Sequence, residues 1–189
     1  MNEPVRIVAD WLNDTTSGAV GVNDVLAVSD FPLDTSPADA LPANPTYYDS
    51  TRHAFAARGL WPAEGQGVTY PCVVTRFGGI DYPLEAQQST TGAVEQPGVC
   101  TVVVIIAQRL ANSNEGVEDV GYLVRAVCNS LAVLNLAANR TKRTRNGFTL
   151  QDCTSVRVQP MPIEHEDNVI AVGIALTYDT HEATYNQSL

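Results

Sequence analysis

Residues with catalytic chemistry are thinly spread along this chain of 189 residues. The histidines, His53, His165 and His181, lie far apart, and none of them belongs to an HExxH or HxE pattern. The sequence also holds no GxSxG motif of a serine hydrolase and no Gly-rich phosphate-binding loop of the Walker type. We therefore predict no catalytic residues, no cofactor and no metal site, and we do not expect an enzyme.

Two weaker candidates for chemistry have simpler explanations. Cys100 could act as a nucleophile with a distant histidine, but no activating group lies beside it, so we interpret it as a buried strand cysteine. Glu164, Glu166 and Asp167 crowd one turn and offer oxygen ligands for a hard cation. A solvated acidic turn is the simpler interpretation of that cluster.

The cysteines are too far apart in the sequence for a CxxC zinc or redox motif; they are Cys72, Cys100, Cys128 and Cys153. Each lies in a segment with strand or helix character, so we predict four reduced thiols in a protein made in the cytoplasm. Cys72 and Cys100 are expected on neighbouring strands. Residues Met1–Pro4 lack the features of a signal peptide, and no apolar run reaches the roughly 18 residues of a membrane span.

The charge balance is acidic, because 21 aspartates and glutamates face 11 lysines and arginines and give a formal charge of −10. Binding to nucleic acid or to an anionic membrane requires cations that neutralise phosphate, so the composition argues against both as general partners.

Four of these cations nevertheless fall within six positions and form a basic segment: Arg140, Lys142, Arg143 and Arg145. Three explanations stay open: a solvated helix C-terminus, where cations suit the helix dipole, contact with an acidic protein neighbour, or contact with passing nucleic acid. We predict that the segment is an exposed interfacial loop. Charge reversal at Arg143 and Arg145 should then leave the chain folded.

Hydrophobic patterning predicts one α+β domain over residues 1–189, with a mainly antiparallel sheet of about four strands. An N-terminal helix starts at Asn2–Pro4 and keeps an apolar face through Leu12, and a second short helix is predicted over Val22–Val28. The predicted strands are Tyr70–Phe77, which Gly78 and Gly79 should end, Val99–Gln108, Thr154–Gln159 and Val169–Tyr178. Val99–Gln108 is apolar at successive positions, so both of its faces should be covered.

One long helix is predicted between the second and third of these strands, from a capping sequence at Asn112–Glu115 to about Leu136. Its main apolar stripe contains Val117, Val120, Val124, Val127, Leu131 and Leu134. A second stripe beside it contains Leu123, Ala126 and Val133. The first stripe should cover the sheet. The second fits either packing between subunits or a wider core within one chain.

Residues 30–67 have a different character, because four prolines in quick succession, Pro32, Pro37, Pro42 and Pro45, interrupt any regular element and predict an extended loop or arm. This arm carries several aromatic side chains, among them Tyr47, Tyr48, Phe55 and Trp61. We expect them to dock on a partner chain, with docking on the protein's own body as the alternative. Residues 179–189 are predicted to form a polar C-terminal tail.

The order of these elements resembles that of the tail-terminator, or tail-completion, proteins of tailed bacteriophages. The N-terminal helix carries the resemblance together with residues 68–178, which include Tyr70–Phe77, Cys100–Ala107, the acidic-capped helix from Glu115 and the two final strands. The resemblance rests on element order and on no invariant motif. The Pro-rich segment 30–67 departs from the family's compact form.

This resemblance implies a structural virion protein of the phage tail or neck. The family forms a ring, commonly of six copies, that caps the tail tube and joins it to the head-tail connector. The implied partners are further copies of the chain, the tail tube protein and a connector or stopper protein, with DNA passing nearby and no membrane. The acidic charge suits a channel through which DNA slides without sticking.

Two other classes of function stay open. One is a different virion component, such as a connector stopper, neck or minor tail protein. The other is a small cytosolic enzyme or ligand-binding α+β domain, which a deep pocket with convergent polar groups would favour.

Overall fold

The computed structural model describes residues 2–14, 20–28, 44–53, 67–83, 87–88, 94–110, 115–161 and 168–184. The α-helices within these ranges are α1 (Glu3–Leu12), α2 (Val22–Val28) and α3 (Glu115–Leu134), and a 3₁₀ helix spans Ala137–Arg143. The strands are β1 (Thr46–Asp49), β2 (Cys72–Asp81), β3 (Gln87–Gln88), β4 (Val94–Arg109), β5 (Thr144–Arg145), β6 (Phe148–Pro160) and β7 (Val169–Thr184).

These seven strands form one sheet in the order β1-β2-β4-β7-β6-β5, and β3 pairs with the first residues of β4. Every strand pair is antiparallel except β1 with β2, which run parallel. The α+β class is therefore as predicted, and the four long strands β2, β4, β6 and β7 are the predicted ones. The additional strands β1, β3 and β5 contain two to four residues, which is too short for an alternating pattern to show.

The central strand β4 is covered on one face, whereas the other face is covered only in part, since Val99 is exposed there; the prediction that both faces are covered therefore holds only for the later part of the strand. Its residues Cys100, Val102, Val104 and Ile106 join Ile174, Leu176 and Tyr178 of β7 in the main core, where α1, α2 and α3 pack; we call this the helix-bearing face. The other face, on which no described helix packs, is the helix-free face. A smaller cluster covers part of it with Tyr48, Val68, Tyr70 and Met161, over Cys72, Val74, Ile105, Ala107 and Ala171.

The second apolar stripe of α3 is buried within the chain. Leu123 and Ala126 are fully buried beside Val127 in the main core, and α3 contacts both α1 and α2. Two hydrogen bonds fix this packing: Trp11 Nε1 donates to the Ser130 carbonyl at 2.9 Å, and Ser130 Oγ donates to the Val20 carbonyl at 2.5 Å. Val133, the third member of the stripe, is half-buried and packs against the same core, so the wider-core interpretation is correct.

Three predicted boundaries are wrong for identifiable reasons. Gly78 and Gly79 do not end β2. Gly78 is the unpaired residue of a bulge, and pairing resumes at Gly79 and continues to Asp81. Residues 179–184 belong to β7 and not to a tail, because their backbones pair with β4 and β6. Thr46–Asp49 is a strand inside the predicted arm, and it lies at the sheet edge, where a preceding proline is tolerated.

The helices also bear on membrane topology. Within the described residues no single helix is both long and apolar enough to cross a membrane. Val120–Leu134 and Ala137–Arg143 reach that length and composition only as a pair, across a 96° bend.

Candidate functional site

The basic segment is an ordered part of the fold. It is the 3₁₀ helix Ala137–Arg143 followed by β5, and a two-residue turn at Asn146 and Gly147 returns the chain into β6. Both turn residues have positive φ, 49° and 80°, as a type I′ hairpin turn requires. The segment is therefore not the predicted loop, since the hairpin holds β5 against β6, and its exposure differs from residue to residue.

Arg143 points into the protein. Only 3% of its surface is exposed, and its Nη1 donates a hydrogen bond to the Gln151 carbonyl on β6. Burial raises the pKa values of Cys153 and Tyr178, and the nearby positive charge of Arg143 partly offsets this rise. The premise that Arg143 is exposed is therefore wrong. Reversing its charge would place a carboxylate among buried groups, so we now expect this change to destabilise the fold.

Arg145 is held by the N-terminal helix. Its Nη1 lies 2.7 Å from Asp10 Oδ2, while Arg52 Nη2 lies 2.6 Å from Asp10 Oδ1. Arg52 also approaches Asp49 Oδ2 at 3.4 Å, and its pKa is raised chiefly by the hydrogen bond to Asp10. The carboxylate of Asp10 in α1 therefore binds both Arg52, in the turn that follows β1, and Arg145, in β5.

Arg140 and Lys142 are the exposed members of the basic segment. No ion pair joins either side chain to another of the described residues. Their role in an interface therefore stays a prediction, and the structure leaves both cations accessible to a partner.

The predicted aromatic arm is described only in part. Tyr47 packs against the main core and its hydroxyl donates to Asn23 Oδ1 at 3.0 Å. The Tyr48 hydroxyl accepts a hydrogen bond from the Thr69 amide at 3.0 Å, and its ring meets His53 edge-on. These two tyrosines dock on the protein's own body. Phe55 and Trp61 lie outside the described residues, so docking of their rings on a partner stays a prediction.

A cavity of about 210 Å³ lies between α1 and β1 and is lined by Ala9, Asn13, Tyr47, Tyr48, Asp49, Arg52, His53 and Thr75. Its polar groups bind one another. Asp49 accepts hydrogen bonds from Thr51 Oγ1 at 2.6 Å and from the Thr51 and Arg52 amides at 2.9 and 3.0 Å, and His53 Nδ1 accepts from the Asp49 amide at 3.1 Å. The carboxylate is thus occupied in forming a turn.

The other predicted chemical groups are also accounted for where they are described. In that part of the chain no group of three or more histidine, cysteine, aspartate or glutamate residues is arranged to hold a metal ion. The acidic turn with Glu164, Glu166 and Asp167 lies outside it. All four cysteines are free. Cys72 and Cys100 do lie on neighbouring strands, but Cys72 pairs with Ala107 and Cys100 with Ile80, at opposite ends of the ladder.

The outer half of β6 is a surface that the sequence analysis did not identify. Residues 154–160 are all exposed, although they pair with β7, whereas Phe148 and Leu150 at the start of the strand are buried. Among the described strands only β5 pairs with the outer edge of β6, at Phe148 and Thr149. The alternation of Ser155, Val156, Arg157 and Val158 predicts a strand. It does not predict which half of that strand the helices cover.

Comparison with known proteins gives a limited result. No family model matches the sequence, and no curated protein matches it. Among solved structures, one chain from the virion of a native gene transfer agent (GTA) particle is similar, with 16% identity over 73% of this chain and 78% of that chain and a TM-score of 0.37. A likeness this distant carries no argument about function, so the function has to be inferred from the residues of this chain.

Proposed function

We propose that this chain is a structural virion protein of a phage-like particle, which assembles as a ring of about six copies, terminates the tail tube and joins it to the head-tail connector. The order of elements that resembles tail-terminator proteins supports the proposal. The formal charge of −10 supports it as well, since an acidic wall does not retain passing DNA.

The observation that carries the proposal is the uncovered half of β6. Beyond Thr149, no described strand pairs with the outer edge of β6. An open strand edge with exposed valines favours association, and natural proteins usually protect such an edge. Here Val156 and Val158 are 54% and 48% exposed. A ring subunit requires surfaces that only its neighbours cover, and this strand provides one.

The ligand-binding alternative has one observation in its favour, the cavity beside Asp49, Arg52 and His53. Its volume of about 210 Å³ is smaller than the roughly 300–1,000 Å³ of most ligand sites. Its carboxylate already accepts hydrogen bonds from the neighbouring turn. We therefore favour the structural role over ligand binding. Another neck, connector or minor tail position would use the same surfaces and differs in stoichiometry and neighbours.

Native mass spectrometry of the purified chain, combined with negative-stain images and a reconstruction of the particle, tests the proposal. We expect a closed ring of about six copies at the junction of tail tube and connector. A single copy per particle, or a monomer with a small molecule bound in the Asp49 cavity, would overturn it. A ring at another position would support a different virion component.

A further inference from the structure

The exposed large apolar side chains of the described residues lie on two sides of the sheet. Their exposed fractions are 55% for Leu136, 54% for Val156, 48% for Val158 and 41% for Val99. Val156 lies opposite Leu176, and Val158 lies opposite Ile174. Directly paired residues share a face of a sheet, so both valines extend the helix-bearing core toward the edge of the sheet. Both partners are fully buried, whereas the valines are left uncovered.

Two exposed cations lie on the same side of the molecule, on the 3₁₀ helix that contacts β6 near Gln151. Leu136 lies in the turn between α3 and the 3₁₀ helix, and that helix contacts β6 and carries the exposed Arg140 and Lys142. The buried Arg143 fixes the 3₁₀ helix to β6 through its hydrogen bond to Gln151. We call these residues of the helix-bearing side the front patch: Leu136, Arg140, Lys142, Val156 and Val158.

The helix-free face carries a patch of the opposite charge. Asp81 on β2 pairs with Val99 on β4, and Val99 pairs with Asp179 on β7. The three side chains therefore form one row across three strands on one face, and all three are exposed. We call Asp81, Val99 and Asp179 the back patch. Each patch thus combines exposed valine with two like charges, and the charges of the two patches are opposite.

We propose that the front patch of one copy of this chain docks on the back patch of the next copy. This inference rests on the proposed ring and names its subunit contact. Exposed apolar side chains rimmed by charge are typical of protein interfaces, and complementary charge selects the partner. A contact between two different surfaces of one chain repeats head to tail and closes when the rotation between copies permits.

The charges also argue against a two-fold contact. Front against front would bring Arg140 and Lys142 of two copies together, and back against back would do the same for Asp81 and Asp179. Like charges brought together across an interface cost binding free energy. Only front against back places the cations of one copy on the carboxylates of the other, and it buries Val99 against Val156 or Val158.

Charge reversal provides the main test. The full chain is prepared with Arg140→Glu and Lys142→Glu, and separately with Asp81→Arg and Asp179→Arg, and its association is followed by sedimentation velocity over a concentration series. Each double variant alone should associate at least tenfold more weakly than the original chain. Their equimolar mixture should associate again, because each altered patch then meets a complementary one. Arg125→Glu is the matched control: Arg125 is an exposed cation on α3, outside both patches and outside β6, and its change should leave association intact.

Cross-linking identifies the contact directly. Chains with Val156→Cys and with Val99→Cys are mixed under mild oxidation, and we expect an intermolecular disulfide in the mixture and none in either variant alone. A disulfide between two Val156→Cys chains would overturn the inference in favour of a two-fold contact. A monomeric wild-type chain at every concentration, without the mixed disulfide, would also overturn it.

The inference and the proposed function can fail separately. If the mixture restores association but the particle contains no ring of this chain, the contact is correct and the assigned position in the virion is wrong. If the particle contains the ring but both charge-reversed variants assemble as the original chain does, the contact is wrong and the ring proposal stands.

Discussion

Two halves of the basic segment differ in where their side chains point, although they lie within six residues of each other. Arg143 and Arg145 are bound inside one subunit, by Gln151 and by Asp10, whereas Arg140 and Lys142 extend into solvent. The first pair fastens the hairpin and α1 to the sheet. Only Arg140 and Lys142 are both exposed and without an ion-pair partner among the described residues. The number of cations that an interface can use is therefore smaller than the four that the sequence shows.

The largest expected effect separates the inward pair from the outward pair. Arg143→Met keeps the length of the side chain but leaves the Gln151 carbonyl without its charged donor. We expect a loss of about 2 kcal/mol in the free energy of unfolding. Chemical denaturation measures it, and Arg140→Met, at an exposed position of the same 3₁₀ helix, is the control. Equal effects of the two changes would remove the distinction between inward and outward cations.

A smaller effect is expected at Asp10. Asp10→Asn weakens both of its ion pairs, with Arg52 and with Arg145, but all three side chains are more than one-third exposed. Exposed ion pairs contribute little, so we expect a loss of roughly 0.5–1 kcal/mol. A double-mutant cycle with Arg145→Gln should show that the two changes are not additive. Full additivity would mean that the ion pair between Asp10 and Arg145 contributes nothing.

The outward pair should affect folding least. Arg140→Glu together with Lys142→Glu should leave the thermal midpoint of the isolated chain unchanged, because neither side chain has an ion-pair partner among the described residues. Differential scanning fluorimetry at low protein concentration measures this. A lowered midpoint would show that these cations also stabilise the subunit. Restored association in the mixture of the two charge-reversed variants would then separate a lost contact from a destabilised fold.

The cysteines extend the comparison to the core. Burial raises the pKa of Cys72 and of Cys100 to about 12, so both thiols are neutral at pH 8 in the folded chain. Alkylation should be slow in the native protein, and titration in denaturant without reductant should find four thiols. Fewer would indicate a disulfide. An unfolded thiol loses its proton near pH 9, so the free energy of unfolding should fall as pH rises from about 9 to about 12.

Some of this fold follows from local sequence alone. Helices α1 and α3 and the four long strands are predicted because apolar spacing reports the period of each element. The start of α1 is predicted from Asn2 and Pro4, although the Asn2 side chain makes no capping hydrogen bond. The hairpin could also have been predicted, since Asn146-Gly147 is a typical sequence for a two-residue turn with positive φ. This hairpin pairs β5, which contains Arg145 and directly follows Arg143, with the start of β6. Tyr47 and Tyr48 were harder to place, because β1 is too short to show a period.

The sequence by itself determined the α+β class, the acidic charge, the apolar central strand β4 and the absence of familiar catalytic motifs. Only the tertiary structure decided that the second stripe of α3 packs within the subunit, that Arg143 is buried and that β6 is covered for half its length. Periodicity is a property of consecutive residues and shows which side chains share a face. Whether that face is covered depends on which distant elements pack against it, and Val156 and Val158 are left exposed although their partners on β7 are buried.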